Sequence, residues 1–143
     1  MRIKFLNDRA KMPTNGSKYA AGYDLYAANK EPVTVYPGTC EKIGTGLAME
    51  IPVGFFGAIF ARSGLATKQG LRPANCVGVV DCDYRGEVIV AVHNDSNESR
   101  QIAPGERIAQ LVLLPYGIVD CFEVVDELED TDRGEGGFGS TGV

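Results

Sequence analysis

The chain has 143 residues, a formal net charge of −5 and 44% hydrophobic residues. That length predicts one self-sufficient domain, burying roughly 68–70% of its unfolded surface. The negative balance excludes a broad electrostatic footprint for polymeric nucleic acid but leaves room for a few arginines to hold one small phosphorylated ligand.

Short runs rich in Val, Ile, Phe and Tyr predict strands over Ile3–Leu6, Tyr23–Tyr26, Val33–Tyr36, Lys42–Ile51, Phe55–Ala61, Cys76–Val80, Glu87–His93, Arg107–Leu114 and Cys121–Val125. Turn chemistry punctuates them at Asn15-Gly16, Pro37-Gly38, Pro52-Val-Gly54 and Pro104-Gly105, so the expected class is all-β, a sandwich or barrel. One short helix is expected over Ser63–Gln69, with Ser63 as its N-cap. Residues 126–132 turn acidic and the chain then becomes glycine-rich, which divides it into a β domain over 1–125 and a C-terminal tail over 126–143. Met1–Arg9 is broken by charge and does not read as a signal peptide, and no apolar run reaches membrane-spanning length. The expectation is a cytoplasmic protein with no membrane partner. Cys40, Cys76, Cys82 and Cys121 have no C-x-x-C spacing and read as reduced, and His93, the sole histidine, reads as structural.

Five segments carry candidate chemistry. In Ala21-Gly-Tyr-Asp24-Leu-Tyr-Ala-Ala28, the carboxylate of Asp24 can hold a metal-bound water or cap a turn. In Ala61-Arg62-Ser63-Gly64-Leu65-Ala66, an arginine fork beside a helix start suits a phosphate, while an N-capping serine beside a solvated arginine is the alternative. In Asn75–Gly86, two β-type runs flank Asp81–Gly86 and predict a hairpin with Asp81, Asp83 and Tyr84 at its tip, either ordinary turn chemistry or a seat for a small polar ring. In Pro104–Leu113, Gln110 interrupts an apolar strand and needs a polar partner, which a phosphate oxygen can provide. The tail, Arg133–Val143, joins an arginine, Phe138, Ser140 and Thr141 to a pliable backbone able to wrap an anion. A disordered tail is the other reading. Gly137, Gly139 and Gly142 match a dinucleotide fingerprint, but the strand-before, helix-after context it requires is missing.

In this order the segments resemble the five ordered motifs of the trimeric deoxyuridine triphosphate nucleotidohydrolases, the dUTPases: Ala21–Ala28, Ala61–Ala66, Asn75–Gly86, Pro104–Leu113 and Arg133–Gly142. Ala61 departs from the pattern, since many relatives place proline there; a change of local stiffness is expected. The resemblance implies a jelly-roll-like β-clip fold, a homotrimer with composite sites, and Mg²⁺-assisted hydrolysis of dUTP to dUMP and pyrophosphate by in-line water attack on the α-phosphate. It thereby implies removal of dUTP and supply of dUMP for thymidylate synthesis. By motif, Asp81 resembles the general base and Tyr84 the residue that packs under the deoxyribose. Asn75, with backbone from Val79 and Val80 to Asp81 and near Ile89, resembles the uracil reader. Arg62, Ser63, Gly64 and Gln110 resemble phosphate holders, with Gln110 and Arg62 expected from different subunits. Asp24 resembles the carboxylate that meets the metal through water. Arg133, Phe138, Gly139, Ser140 and Thr141 resemble the tail that closes over the nucleotide. A non-catalytic nucleotide sensor and a deoxycytidine triphosphate deaminase are the competing readings, the latter short of an extra acid to expel an amine.

Overall fold

The structure is a computed structural model and describes residues 1–119 and 121–137. Its elements follow in chain order as β1 (Arg2–Phe5), β2 (Tyr23–Tyr26), β3 (Val33–Val35), β4 (Cys40–Gly44), β5 (Leu47–Glu50), β6 (Phe55–Phe60), α1 (Ser63–Gln69), β7 (Leu71–Pro73), β8 (Gly78–Val80), β9 (Ile89–Asn94), β10 (Arg100–Ile102) and β11 (Arg107–Pro115). Every strand pair is antiparallel. A four-stranded sheet runs β2-β11-β6-β8, a three-stranded one β4-β9-β7, and two pairs, β1-β5 and β10-β3, complete the jelly-roll-like body.

The core forms because strand alternation turns one set of side chains inward. In β9, Val90, Val92 and Asn94 are buried while Ile89, Ala91 and His93 face outward. The inward set joins Leu25, Ile43, Leu47, Ile59, Leu71, Ile102 and Leu111 in one cluster. Buried Asn94 is tolerated because its amide is fully used: Nδ2 donates to the Val35 and Glu98 carbonyls at 2.9 and 2.8 Å, and Oδ1 accepts from Ser96 N and Oγ.

Several sequence expectations are corrected. The single strand foreseen over Lys42–Ile51 is two, because Gly46 at φ +68° turns the chain between them. The helix begins where expected, but Arg62 rather than Ser63 is its N-cap, with no side-chain cap bond: the Ala66 amide already bonds the Arg62 carbonyl at 3.0 Å, which makes Ser63 the first helical residue. Gly70, at φ +69°, closes the helix. Cys121–Val125 is not a strand; these residues are exposed and meet no partner strand in the described chain. The short β7 and β10 lie outside the predicted runs. The predicted hairpin is a crossing instead, since β8 pairs with β6 and β9 pairs with β4 and β7. The Asp81–Gly86 loop therefore bridges two sheets.

Candidate active site

The four-stranded sheet places Asp24, Gln110 and Phe60 in one cross-strand row, because Gln110 of β11 pairs with Asp24 on one side and with Phe60 on the other. Arg107, three residues before Gln110, would face away from it in a regular strand. The register against β2 slips between Arg107 and Ala109, and Ile108 and Ala109 are both buried in succession. This bulge re-aims one strand residue, so Arg107 and Gln110 line the same cleft of about 520 Å³ with Gly22, Asp24, Phe60 and Arg62.

Within the cleft, Asp24 is the organising anion. Arg62 Nε donates to Asp24 Oδ1 at 2.8 Å and Arg107 Nη1 to Oδ2 at 3.2 Å. The Asp24 side chain is 16% exposed, so its charge is poorly solvated and draws both guanidinium groups inward. Two cations against one carboxylate leave a net positive cleft with forked donors, suited to phosphate oxygens. Gln110 Nε2 donates to the Ala61 carbonyl at 2.9 Å, which answers its need for a partner. A proline at 61 would present the same carbonyl, so this hydrogen bond survives the departure from the family pattern. Gly22 makes room for Gln110, since a Cβ there would stand 2.6 Å from Gln110 Oε1. Ser63 and Gly64 are exposed in the first turn of α1, next to Arg62.

The second constellation lies along β8 and the loop after it. β8 is the edge strand of its sheet, so one side of its backbone is free to hydrogen-bond a ligand edge. Val80 packs against the core and offers only backbone, whereas Val79 points out at 62% exposure. A tight turn precedes β8: Val77 N donates to the Asn75 carbonyl at 2.7 Å, and Cys76 sits at φ +63°, a conformation that costs a side-chain-bearing residue roughly 1–2 kcal/mol. This turn sets exposed Asn75 beside Gly78, where a Cβ would come within 3.3 Å of Asn75 Nδ2.

The crossing loop is braced from within. Tyr84 N donates to the Asp81 carbonyl at 3.2 Å, and Arg85 Nη1 donates to the carbonyls of Cys82 and Tyr84 at 2.7 and 2.9 Å. Tyr84 Oη donates to the Glu87 carbonyl at 3.1 Å. Asp81 is exposed and its carboxylate accepts no hydrogen bond from the described residues, so it is available to a water. It lines a cleft of about 500 Å³ with Phe56, Val79, Cys82, Asp83 and Tyr116. Tyr116 stacks edge-on against Phe56, with centroids 6.4 Å apart. Its hydroxyl contacts Cys82 Sγ at 3.6 Å, and this bond, followed by the charge of Cys82, by desolvation and then by the charges of Asp81 and Asp83, raises the phenol above its ordinary 10.

The two clefts share no lining residue within the chain. Asp24, Arg62 and Gln110 come together in one cleft and Val79 and Asp81 in the other, while Asn75 and Tyr84 line neither. The expectation that Arg62 and Gln110 come from different subunits is corrected, because adjacent β6 and β11 already bring them to one cleft. Arg133 donates to the Gly136 carbonyl at 2.8 Å inside its own turn. Phe138, Gly139, Ser140 and Thr141 lie outside the described residues. Sequence reasoning missed Arg107, Arg85 and Tyr116. Arg107 shares a segment with Gln110, but the bulge that aligns them has no sequence signal.

An edge strand with a free carboxylate, and a separate cationic cleft built from another part of the same sheet, suit a protein that binds a small phosphorylated ring compound. The dUTPase family model matches residues 8–142. The deoxyuridine 5'-triphosphate nucleotidohydrolase of Desulfitobacterium hafniense is 52% identical over 134 residues, 93% of this chain and 88% of that protein, and the Candida albicans protein of the same name is 43% identical over 99% of this chain and 87% of its own. Among solved structures, the dUTPase of Staphylococcus bacteriophage 80alpha with dUpNHpp superimposes with a TM-score of 0.90 at 32% identity, covering 99% of this chain and 98% of that one. A dUTPase mutant from phage phi11 of S. aureus, described for its structural Mg(II) ion, gives 0.80 at 27% identity over 90% and 98%. The chain belongs to the dUTPase family.

Proposed function

We propose that the protein hydrolyses dUTP to dUMP and pyrophosphate, and that Asp81 is the general base. The observation that carries this reading is the free Asp81 carboxylate at the end of an edge strand, in a chain whose other cleft gathers Arg62, Arg107 and Gln110 for phosphates. A carboxylate one hydrogen bond from the attacking water contributes typically ~10²–10⁴ in rate. The free backbone of β8 and the amide of Asn75 pair with the uracil edge, and cytosine is rejected because its donor–acceptor pattern would leave them unpaired. Close backbone approach by β8 leaves no room for the 5-methyl group of thymine. The exposed ring of Tyr84 packs under the sugar and excludes a 2′-hydroxyl. Arg133 and the segment with Phe138, Gly139, Ser140 and Thr141 close over the nucleotide, a role that rests on the family resemblance.

Mg²⁺ fits this donor set only as an ion carried on the substrate's phosphates. No group of three or more His, Cys, Asp or Glu residues could hold a metal among the described residues, and both oxygens of Asp24 are engaged by arginines. Asp24 would hold the ion through coordinated water, and the ion would neutralise charge on the phosphates. Since the two clefts share no lining residue in one chain, the complete site is read as forming between copies, and the count of three, a homotrimer, rests on the family resemblance. No helix is long and apolar enough to cross a membrane among the described residues; we place the activity in the cytoplasm with no nucleic-acid polymer as partner.

The test is incubation with Mg²⁺ and, separately, dUTP, dTTP, dCTP and UTP, with pyrophosphate and ammonia measured. Pyrophosphate from dUTP alone is expected, with turnover reduced about 10²-fold or more in Asp81→Asn and binding retained. Binding without product would make the protein a nucleotide sensor, and ammonia from dCTP a deaminase.

A further inference from the structure

The loop that holds Tyr84 is fastened at one end by a side chain outside both clefts. Glu87 follows Gly86, and its Oε1 accepts the Gly46 amide at 2.7 Å. The turn between β4 and β5 grips the same stretch through its backbone: Thr45 N and Oγ1 donate to the Val88 carbonyl at 3.2 and 2.7 Å, and Val88 N donates to the Leu47 carbonyl at 2.8 Å. That turn is itself fixed, because Gly46 needs φ +68° and its carbonyl accepts from Leu6 N at 2.8 Å. Two glycines make the contacts sterically feasible. A Cβ at Gly44 would stand 2.5 Å from Glu87 Oε1, and one at Gly86 would stand 2.5 Å from Tyr84 Cζ.

The Tyr84 hydroxyl donates to the backbone carbonyl of Glu87, the residue whose side chain makes this anchor. We propose that Glu87 is a positioning residue for sugar selection: its carboxylate, held by the Gly46 amide, fixes the carbonyl that orients the Tyr84 ring. The inference rests on the reading of Tyr84 as the wall against a 2′-hydroxyl. Glu87 touches no substrate. Its effect falls on discrimination, because a ring that is 45% exposed has few packing contacts to hold it once its hydroxyl partner shifts.

The experiment measures kcat/KM for dUTP and for UTP in the full chain, with thermal unfolding as the control for folding. In Glu87→Ala, the dUTP/UTP ratio is expected to fall by about tenfold or more, the order expected when a binding group is misplaced by a fraction of an ångström. Glu87→Gln keeps an oxygen that accepts the Gly46 amide and should restore the ratio to within about threefold of the native value. If Glu87→Ala fails to fold, Gly44→Ala displaces the same carboxylate without removing it and should lower the ratio in the same direction. An unchanged ratio in a folded Glu87→Ala or Gly44→Ala, or an equal loss in Glu87→Gln, would overturn the inference. Tyr84→Ala separates the two levels: a native ratio there would refute the sugar-wall reading itself, whereas a relaxed ratio beside an unaffected Glu87→Ala would refute the positioning role alone.

Discussion

Side chains in the cleft of Asp24 and Gln110 work as a coupled set. Gln110 can point into the cleft only because position 22 carries no Cβ, and its amide is fixed at the other end by the Ala61 carbonyl. Gly22 needs no special dihedral, so alanine there is a purely steric perturbation. Gly22→Ala is expected to lower kcat/KM for dUTP by about tenfold or more by pushing the amide aside. Because it acts through Gln110, adding Gly22→Ala to Gln110→Ala should cost little further. A double-mutant cycle measures this, and additive losses would show that Gly22 serves something other than the amide. The same logic applies to Asp24, whose two arginine partners make it a holder of cations before it can be a holder of metal-bound water.

Local patterns decided which elements were readable. β2, β6 and the helix lie close to their predicted bounds, because periodicity and turn residues act over neighbouring positions. The break at Gly46 needs knowledge of a positive φ, and the crossing of β8 and β9 into separate sheets depends on contacts distant in sequence. The candidate site residues are legible as motif members, while the bulge that turns Arg107 toward Gln110 is not, since it is a property of strand register. The end of β9 carries another tertiary feature. Arg72 of β7 grips Asp95 with Nε and Nη2, the latter at 3.0 Å. The hydrogen bond from Arg72 chiefly, and the charges of Arg72 and His93, hold the Asp95 carboxyl below its ordinary 3.8 against a smaller desolvation effect. A depressed folded value means the pair stabilises the fold above the unfolded value and loses that effect as pH falls through the folded one. Native protein and Asp95→Asn should therefore differ in unfolding midpoint above about pH 4 and converge in stronger acid. Thermal unfolding across pH checks this, and both groups being solvent-accessible, high salt should narrow the difference.

A feature of the described chain without an internal explanation is the run of exposed apolar residues after β11. Phe122 is 91% exposed and Val124 98%, and Ile118, Val119 and Leu128 are also well exposed. Exposed apolar residues this numerous in one segment fit an association surface, and the proposed composite site would need one, because on that reading neither cleft acts on a nucleotide without the other. Covering a phenylalanine or valine side chain contributes about 1.5–3 kcal/mol each, repeated at every symmetry-related contact. Under the proposed homotrimer, the double substitution Phe122→Ser, Val124→Ser is therefore expected to lower the assembly mass at micromolar concentration, read by light scattering. Since neither residue belongs to either cleft, dUTP turnover should fall in parallel with mass and recover as concentration is raised. Loss of mass with full turnover would mean that one chain holds a complete site, and the separation of the clefts would then need closure by the chain itself.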